Sequence, residues 1–246
     1  MPIERALRQY PKTIVVATLS TACYSFAVWY LTTFPPVLYG TLMDPPLGGG
    51  GQSGAGRIWL MHSLCCLLLS CFYPVWGWAG NSIGASNMMF LGGLVLAVLG
   101  PPSCLMMSSG SFGAAALGQG LLSVGIGITG ASLPTFLVSA FPPHVRYTCI
   151  AIGYNVSLAT FGGTAALISS SLFQQSQGNL LSGLYFSFLG LVSSASVHSY
   201  TRHGRQGGYL ERDGRQLSVV AQGSACTGHA EASEAVAVEG ESSPVR

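Results

Sequence analysis

Between Ile58 and Thr201 the sequence has no lysine, no aspartate and no glutamate, and its single arginine is Arg146. Over the whole chain, 7% of residues are charged, against about 25% for ordinary soluble domains. A soluble fold of 246 residues would still need a charged surface, so this deficit excludes one and points to a polytopic membrane protein. The net charge of +2 is too small to indicate a nucleic-acid partner. Metal chemistry has no obvious seat either. The seven cysteines (Cys23, Cys65, Cys66, Cys71, Cys104, Cys149 and Cys226) form no CxxC pair. Their odd number argues against a complete disulfide framework, and they read as small, soft packing residues. No metal and no cofactor is expected.

What the chain has instead is apolar length. A helix needs about 20 apolar residues to span a bilayer, and six stretches qualify: Thr13–Phe34, stopped by Pro35-Pro36; Ile58–Ala79; Met88–Met107, kinked by Pro101-Pro102; Phe112–Val138; Tyr147–Phe173; and Leu180–Tyr200. The connections follow turn chemistry: a glycine-rich loop DPPLGGGGQSGAG, then GNSIGASN, SSGS, FPPH and QQSQGN. The first stretch has a basic start but is too long for a cleaved leader and lacks a small-x-small site, so it reads as a retained helix. With six crossings, one side collects Arg5, Arg8, Lys12, Arg146, Arg202, Arg205, Arg212 and Arg215, and the other only Arg57. Both termini are therefore expected to be cytoplasmic. The expected organisation is a cytoplasmic segment 1–12, a transmembrane domain 13–200 and a polar cytoplasmic tail 201–246 without order. Small residues recur in the helices, as in Ala116 with Gly120, Gly125 with Gly127, Ala159 with Gly163 and Gly190 with Ser194. They predict a tightly packed all-α bundle.

One stretch is more specific: FPPHVRYTCIAIGYNVSLATFGGTAALI, Phe141–Ile168. It resembles the metabolite:proton symporter branch of the major facilitator superfamily, the proline/betaine, ketoglutarate and citrate transporters. There a loop E-x-F-P-x-x-V-R-Y-T-G leads into a helix with Y-N and then F-G-G-T-A-P-L-I. Phe141, Pro142, Val145, Arg146, Tyr147, Thr148, Tyr154, Asn155, Phe161, Gly162, Gly163, Thr164, Ala165, Leu167 and Ile168 match it. YPVWGWAGNSIGAS stands where that superfamily has P-x-x-G-x-L-S-D-R-I-G-R-R. The resemblance covers about residues 1–205 and implies the C-terminal half of such a transporter, a six-helix 3+3 half-bundle in the plasma membrane. It implies proton-coupled symport of a small organic solute, an osmolyte or a carboxylate, by a chain incomplete alone. The partners it implies are the bilayer and an N-terminal six-helix half or a second copy. The departures lie in the loops. Asn81, Ser82, Ala85-Ser86, Ser139 and His144 stand where the family has charges that favour one gate state, and Ala166 replaces a proline.

Each candidate residue has two readings. Arg146, with His144 and Asn81, is a surviving element of that gate or, for Arg146, an interfacial anchor, which the lack of nearby acids favours. Tyr154 and Asn155 read as interhelical glue by themselves and as pathway-lining by the resemblance. Gln119, between two glycines, suits a ligand contact and close packing equally. Tyr24, Trp29 and Tyr30 fall where the superfamily lines its pathway, although Trp29 and Tyr30 also suit an interfacial belt. His62 and His198 read as satisfied helix residues. No membrane segment holds a carboxylate, so a proton-coupling acid must come from another half. A six-helix intramembrane serine protease, with Ser132 and His198, is the rival class. GASLP lacks the glycine that follows such a nucleophile, and Ser132 lies too deep in its helix, so no enzyme is expected. A non-transporting scaffold or an inactive transporter remnant remains the alternative, supported by the lost loop charges.

Overall fold

The structure, a computed structural model, describes residues 8, 10–42, 52–143, 145–176 and 179–207. His144, the glycine-rich loop from residue 43 to 51 and the tail beyond Gly207 lie outside the described residues. The described residues up to Tyr200 form one compact unit. Its described residues are α-helical or π-helical apart from short turns, and six helices are long and apolar enough to cross a membrane. The helices are α1 Pro11–Val37, α2 Gln52–Ile83, α3 Ala85–Met107, α4 Phe112–Ala140, α5 Arg146–Ser157, α6 Ala165–Ser176 and α7 Leu180–Gly207. Helices α5 and α6 together make the fifth span. Alternating crossings put the start of α1, the ends of α2 and α4 and the start of α5 at one end of the bundle, here the proximal end. The starts of α2 and α4 lie at the distal end.

Two expected stops are absent. Pro35 and Pro36 do not end the first span. The helix runs through them to Val37 and continues as a π-helical turn, Leu38–Leu42. A proline removes one N–H and crowds the carbonyl four residues back. Here the Leu38 N–H still reaches the carbonyls of Phe34 and Pro35, and the wider i→i+5 register takes up the mismatch. The expected GNSIGASN loop shrinks to one residue: α2 ends at Ile83, α3 starts at Ala85, and Gly84 between them has φ +90°, a backbone region nearly closed to other residues. The fifth span, expected as one helix, is broken by a π-helical turn at Leu158–Gly162. There the Gly163 N–H bonds the Leu158 carbonyl at 2.8 Å.

Packing rests on glycine. An added Cβ at Gly190 would lie 2.5 Å from the Gly93 carbonyl oxygen, at Gly183 2.5 Å from Pro101 Cα, and at Gly92 2.5 Å from a Thr129 methyl. These contacts clamp α3 between α4 and α7, since only small residues allow membrane helices such close approach. Hydroxyls of one helix bond carbonyls of another within the bundle, where lipid offers no partner. Pro101 leaves the Ala97 carbonyl without its helical donor, and Ser187 Oγ of α7 donates to it at 2.6 Å. Ser193 Oγ donates to the Ser20 carbonyl at 2.5 Å, joining α7 to α1. An aromatic core between α1 and α7 packs Phe26 and Tyr30 on Phe186, and Phe34 on Tyr30. Ring centroids there are 5.0 Å apart for Phe26–Phe186 and 4.9 Å for Tyr30–Phe186, both edge to face.

Candidate functional site

Two clusters of polar and aromatic side chains lie inside the bundle. The first joins α1, α2, α4 and α5. Tyr24 and Tyr73 share a hydrogen bond through their hydroxyls at 3.3 Å. They meet because Gly130 of α4 has no side chain: a Cβ there would lie 2.5 Å from Tyr73 Cε1 and 2.7 Å from Tyr24 Cε2. One turn of α2 further, Trp76 covers Gly127, with its indole Cδ1 3.1 Å from where a Cβ would stand. Its Nε1 is buried and has no hydrogen-bond partner. Tyr154 is half-buried and packs on the same apolar cluster as Tyr24. At 1.5 Å per residue, Tyr24, Tyr73, Gly130 and Tyr154 lie roughly 12–20 Å from the proximal helix ends. That depth is close to the midplane of a hydrocarbon core about 30 Å thick.

Tyr154 and Asn155 do not share this cluster equally. Adjacent helix residues point about 100° apart, so Asn155 is exposed while Tyr154 packs inward. The Asn155 Nδ2 donates to the Ala151 carbonyl of its own helix at 2.8 Å. Trp29, 42% exposed, lies on the π-helical turn, with Cδ1 2.5 Å from the position a Gly162 Cβ would take.

The second cluster, nearer the distal end, takes up Gln119. Its side chain is fully buried, and Nε2 donates to the Tyr39 hydroxyl at 3.0 Å. Its Oε1 therefore faces His62 Nδ1, at 3.4 Å, as an acceptor. That fixes the histidine tautomer, with Nδ1 protonated and Nε2 accepting from the Cys66 thiol at 3.6 Å. Both ends of the Gln119 amide are thus engaged within the protein. Beside it, Asn179 Nδ2 donates to the Tyr30 hydroxyl at 2.7 Å, which also contacts Cys104 Sγ at 3.5 Å. Spacing gave no hint of Tyr39, Tyr73, Trp76 or Asn179. Their partners are 49 to 149 residues away in sequence.

At the proximal end, Arg146 Nε donates to the Phe141 carbonyl at 3.1 Å, closing the turn into α5. Tyr200 holds the same loop through the Ala140 carbonyl at 3.1 Å. Asn81 is exposed in the last turn of α2. The protease pairing has no geometry behind it. Ser132 Oγ donates back to the carbonyls of Ile128 and Thr129, and His198 is exposed and stacks on Phe90. No group of three metal-ligating side chains occurs among the described residues.

Known proteins resemble this arrangement in sequence. Over 183 residues, 74% of its length, the chain is 25% identical to the ectoine/proline transporter ProP of Corynebacterium glutamicum, covering 34% of that protein. It is 23% identical over 206 residues, 79% of its length, to a putative proline/betaine transporter of Staphylococcus haemolyticus, covering 41% of it. It is also 27% identical over 119 residues to the proline/betaine transporter of Escherichia coli, covering 48% of this chain and 24% of that one. The chain spans about a third to two-fifths of the length of the first two relatives. No protein-family profile and no solved structure matches it. The chain is a multi-pass, all-α membrane protein whose relatives are transporters of small solutes.

Proposed function

We propose that the chain is the C-terminal six-helix half of a proton-coupled symporter for small zwitterionic osmolytes of the proline/betaine kind. The observation that carries this is the extent of the similarity: three-quarters of this chain align with about a third of an ectoine/proline transporter. Transporters of two six-helix halves place their site near the midplane, between the halves, and alternate access by rocking one half on the other. The Tyr24–Tyr73–Trp76–Tyr154 cluster has the depth and chemistry for such a site. Aromatic faces attract an alkylammonium, and the unpartnered Trp76 N–H suits a carboxylate oxygen. The described residues hold no carboxylate, so the proton-carrying acid comes from another six-helix half, which a second copy of this chain would not replace in that role. Arg146 and Asn81 stand at the proximal end, on the cytoplasmic side of this reading, where such a transporter gates.

The test is uptake of labelled proline, betaine and a dicarboxylate into vesicles containing only this chain, with and without an inward proton gradient. The expected result is no accumulation above empty vesicles. Accumulation appears only when a six-helix N-terminal half of a related transporter is supplied. Gradient-driven accumulation by the chain alone overturns the claim that it needs another half.

A further inference from the structure

A groove of about 690 Å³ lies between α2 and α4, at the distal end and away from the tyrosine cluster. Its walls are Leu60, Leu64, Leu68 and Leu117, and its floor is Ala116 and Gly120. Its mouth is formed by Arg57 and Phe112, with the guanidinium carbon 5.7 Å from the ring centroid. Along α2 the groove runs from residue 57 to residue 72, roughly 22 Å at 1.5 Å per residue. One leaflet of hydrocarbon is about 15 Å deep. The groove is therefore long enough to take one acyl chain from the interface to the midplane. Its volume lies in the range of about 300–1,000 Å³ typical of small-molecule sites.

We propose that this groove binds one anionic phospholipid, with an acyl chain between the leucines and the headgroup phosphate on Arg57. Three features select this occupant over another helix. Arg57 is an exposed cation beside a purely apolar slot, and no described residue is a carboxylate, so the charge complement must come from outside the described residues. The guanidinium fork suits a phosphate. The helix contacts of this fold are built differently, at glycines where an added Cβ would collide, whereas a Cβ on Gly120 would meet nothing within 4 Å. An open floor between flexible leucines fits a thin, mobile chain better than a helix about 10 Å across. The proposal depends on the membrane-spanning fold and not on which solute is carried.

The experiment is native mass spectrometry of the purified full chain from nanodiscs holding equal phosphatidylglycerol and phosphatidylcholine with matched acyl chains. The expected result is one retained lipid per chain, with phosphatidylglycerol favoured about fivefold, the factor one basic residue at an anionic surface supplies. Arg57→Gln should keep the lipid and remove the preference. Gly120→Leu should fill the floor and lower retention of both lipids, and inorganic phosphate should displace neither. Far-UV circular dichroism checks that the variants fold. If Gly120→Leu does not, Leu117→Trp, on the exposed rim, replaces it. Equal retention of the two lipids by the native chain overturns the proposal, as does a preference unchanged in Arg57→Gln. Retention unchanged by the filled groove, displacement by inorganic phosphate, or a lipid-free species carrying a second copy would also overturn it.

Discussion

Replacing Gly190 by alanine and, separately, Gly120 by alanine makes the same chemical change at two helix-interior positions with opposite surroundings. Both variants gain about 1 kcal/mol of helix propensity, because glycine is the poorer helix former. At Gly190 the new Cβ would stand 2.5 Å from the Gly93 carbonyl oxygen and 2.9 Å from both the Ala97 nitrogen and its Cβ. None of these atoms is the end of a flexible side chain, so α7 must move away from α3. Such overpacking costs typically about 1–3 kcal/mol. At Gly120 the Cβ meets nothing within 4 Å, and no such cost arises. The propensity gain cancels in the comparison, so Gly190→Ala should be less stable than Gly120→Ala by about 1–3 kcal/mol. The assay is reversible unfolding in mixed micelles by titration with a denaturing detergent, followed by far-UV circular dichroism. Gly120→Ala should be at least as stable as the native chain. Coincident midpoints for the two variants would refute the claim that glycine-mediated approach holds α3 and α7 together.

Other outcomes follow from single contacts. Gln119→Leu leaves a buried His62 N–H and the Tyr39 hydroxyl without their partner, and should cost about 1–3 kcal/mol in the same titration. Adding Tyr39→Phe should cost little more, because its partner is already gone. Ser187→Ala uncovers the Ala97 carbonyl that Pro101 leaves free and should destabilise by a similar amount. In a Pro101→Ala background, where a backbone N–H is restored, its cost should nearly vanish. Cysteines introduced at Gly56 and Ser82 in a cysteine-free chain should react with impermeant reagents from opposite sides of the membrane, with residue 82 on the cytoplasmic side. Labelling of both from one side refutes the expected topology.

The six spans were readable because the bilayer imposes a severe rule: charge is costly in hydrocarbon, so a stretch with one arginine in more than a hundred residues has few alternatives. Helix ends were less readable. Pro35-Pro36 looks like a stop, but a π-helical turn absorbs it, and the eight-residue loop GNSIGASN expected around Gly84 collapses onto a single glycine. Local chemistry permits either result in each case, and packing decides. The interior clusters were read only in part. Tyr24, Tyr154 and Gln119 stood out as polar or aromatic residues in apolar runs, but the choice between them is spatial. The missing side chain of Gly130 lets Tyr24 and Tyr73 touch, while Gln119 is consumed by Tyr39 and His62. Neighbours 49 to 80 residues apart leave no periodic trace in one sequence.

The single-residue connection at Gly84 has a mechanical consequence. Between α2 and α3 the chain has two soft torsions, φ and ψ of one exposed residue, and φ stands at +90°. Helix α3 is fixed to α4 and α7 by its glycines, so it serves as the frame. Helix α2, by contrast, is anchored mainly to α4 and keeps much of its surface outside the bundle. A rotation at Gly84 of a few degrees is multiplied along a lever of 32 residues, about 48 Å long at 1.5 Å each, so that 5° at the pivot displaces the Arg57 end by roughly 3–4 Å. Proximal torque thereby becomes distal travel, and the pivot tolerates only the residue without a side chain.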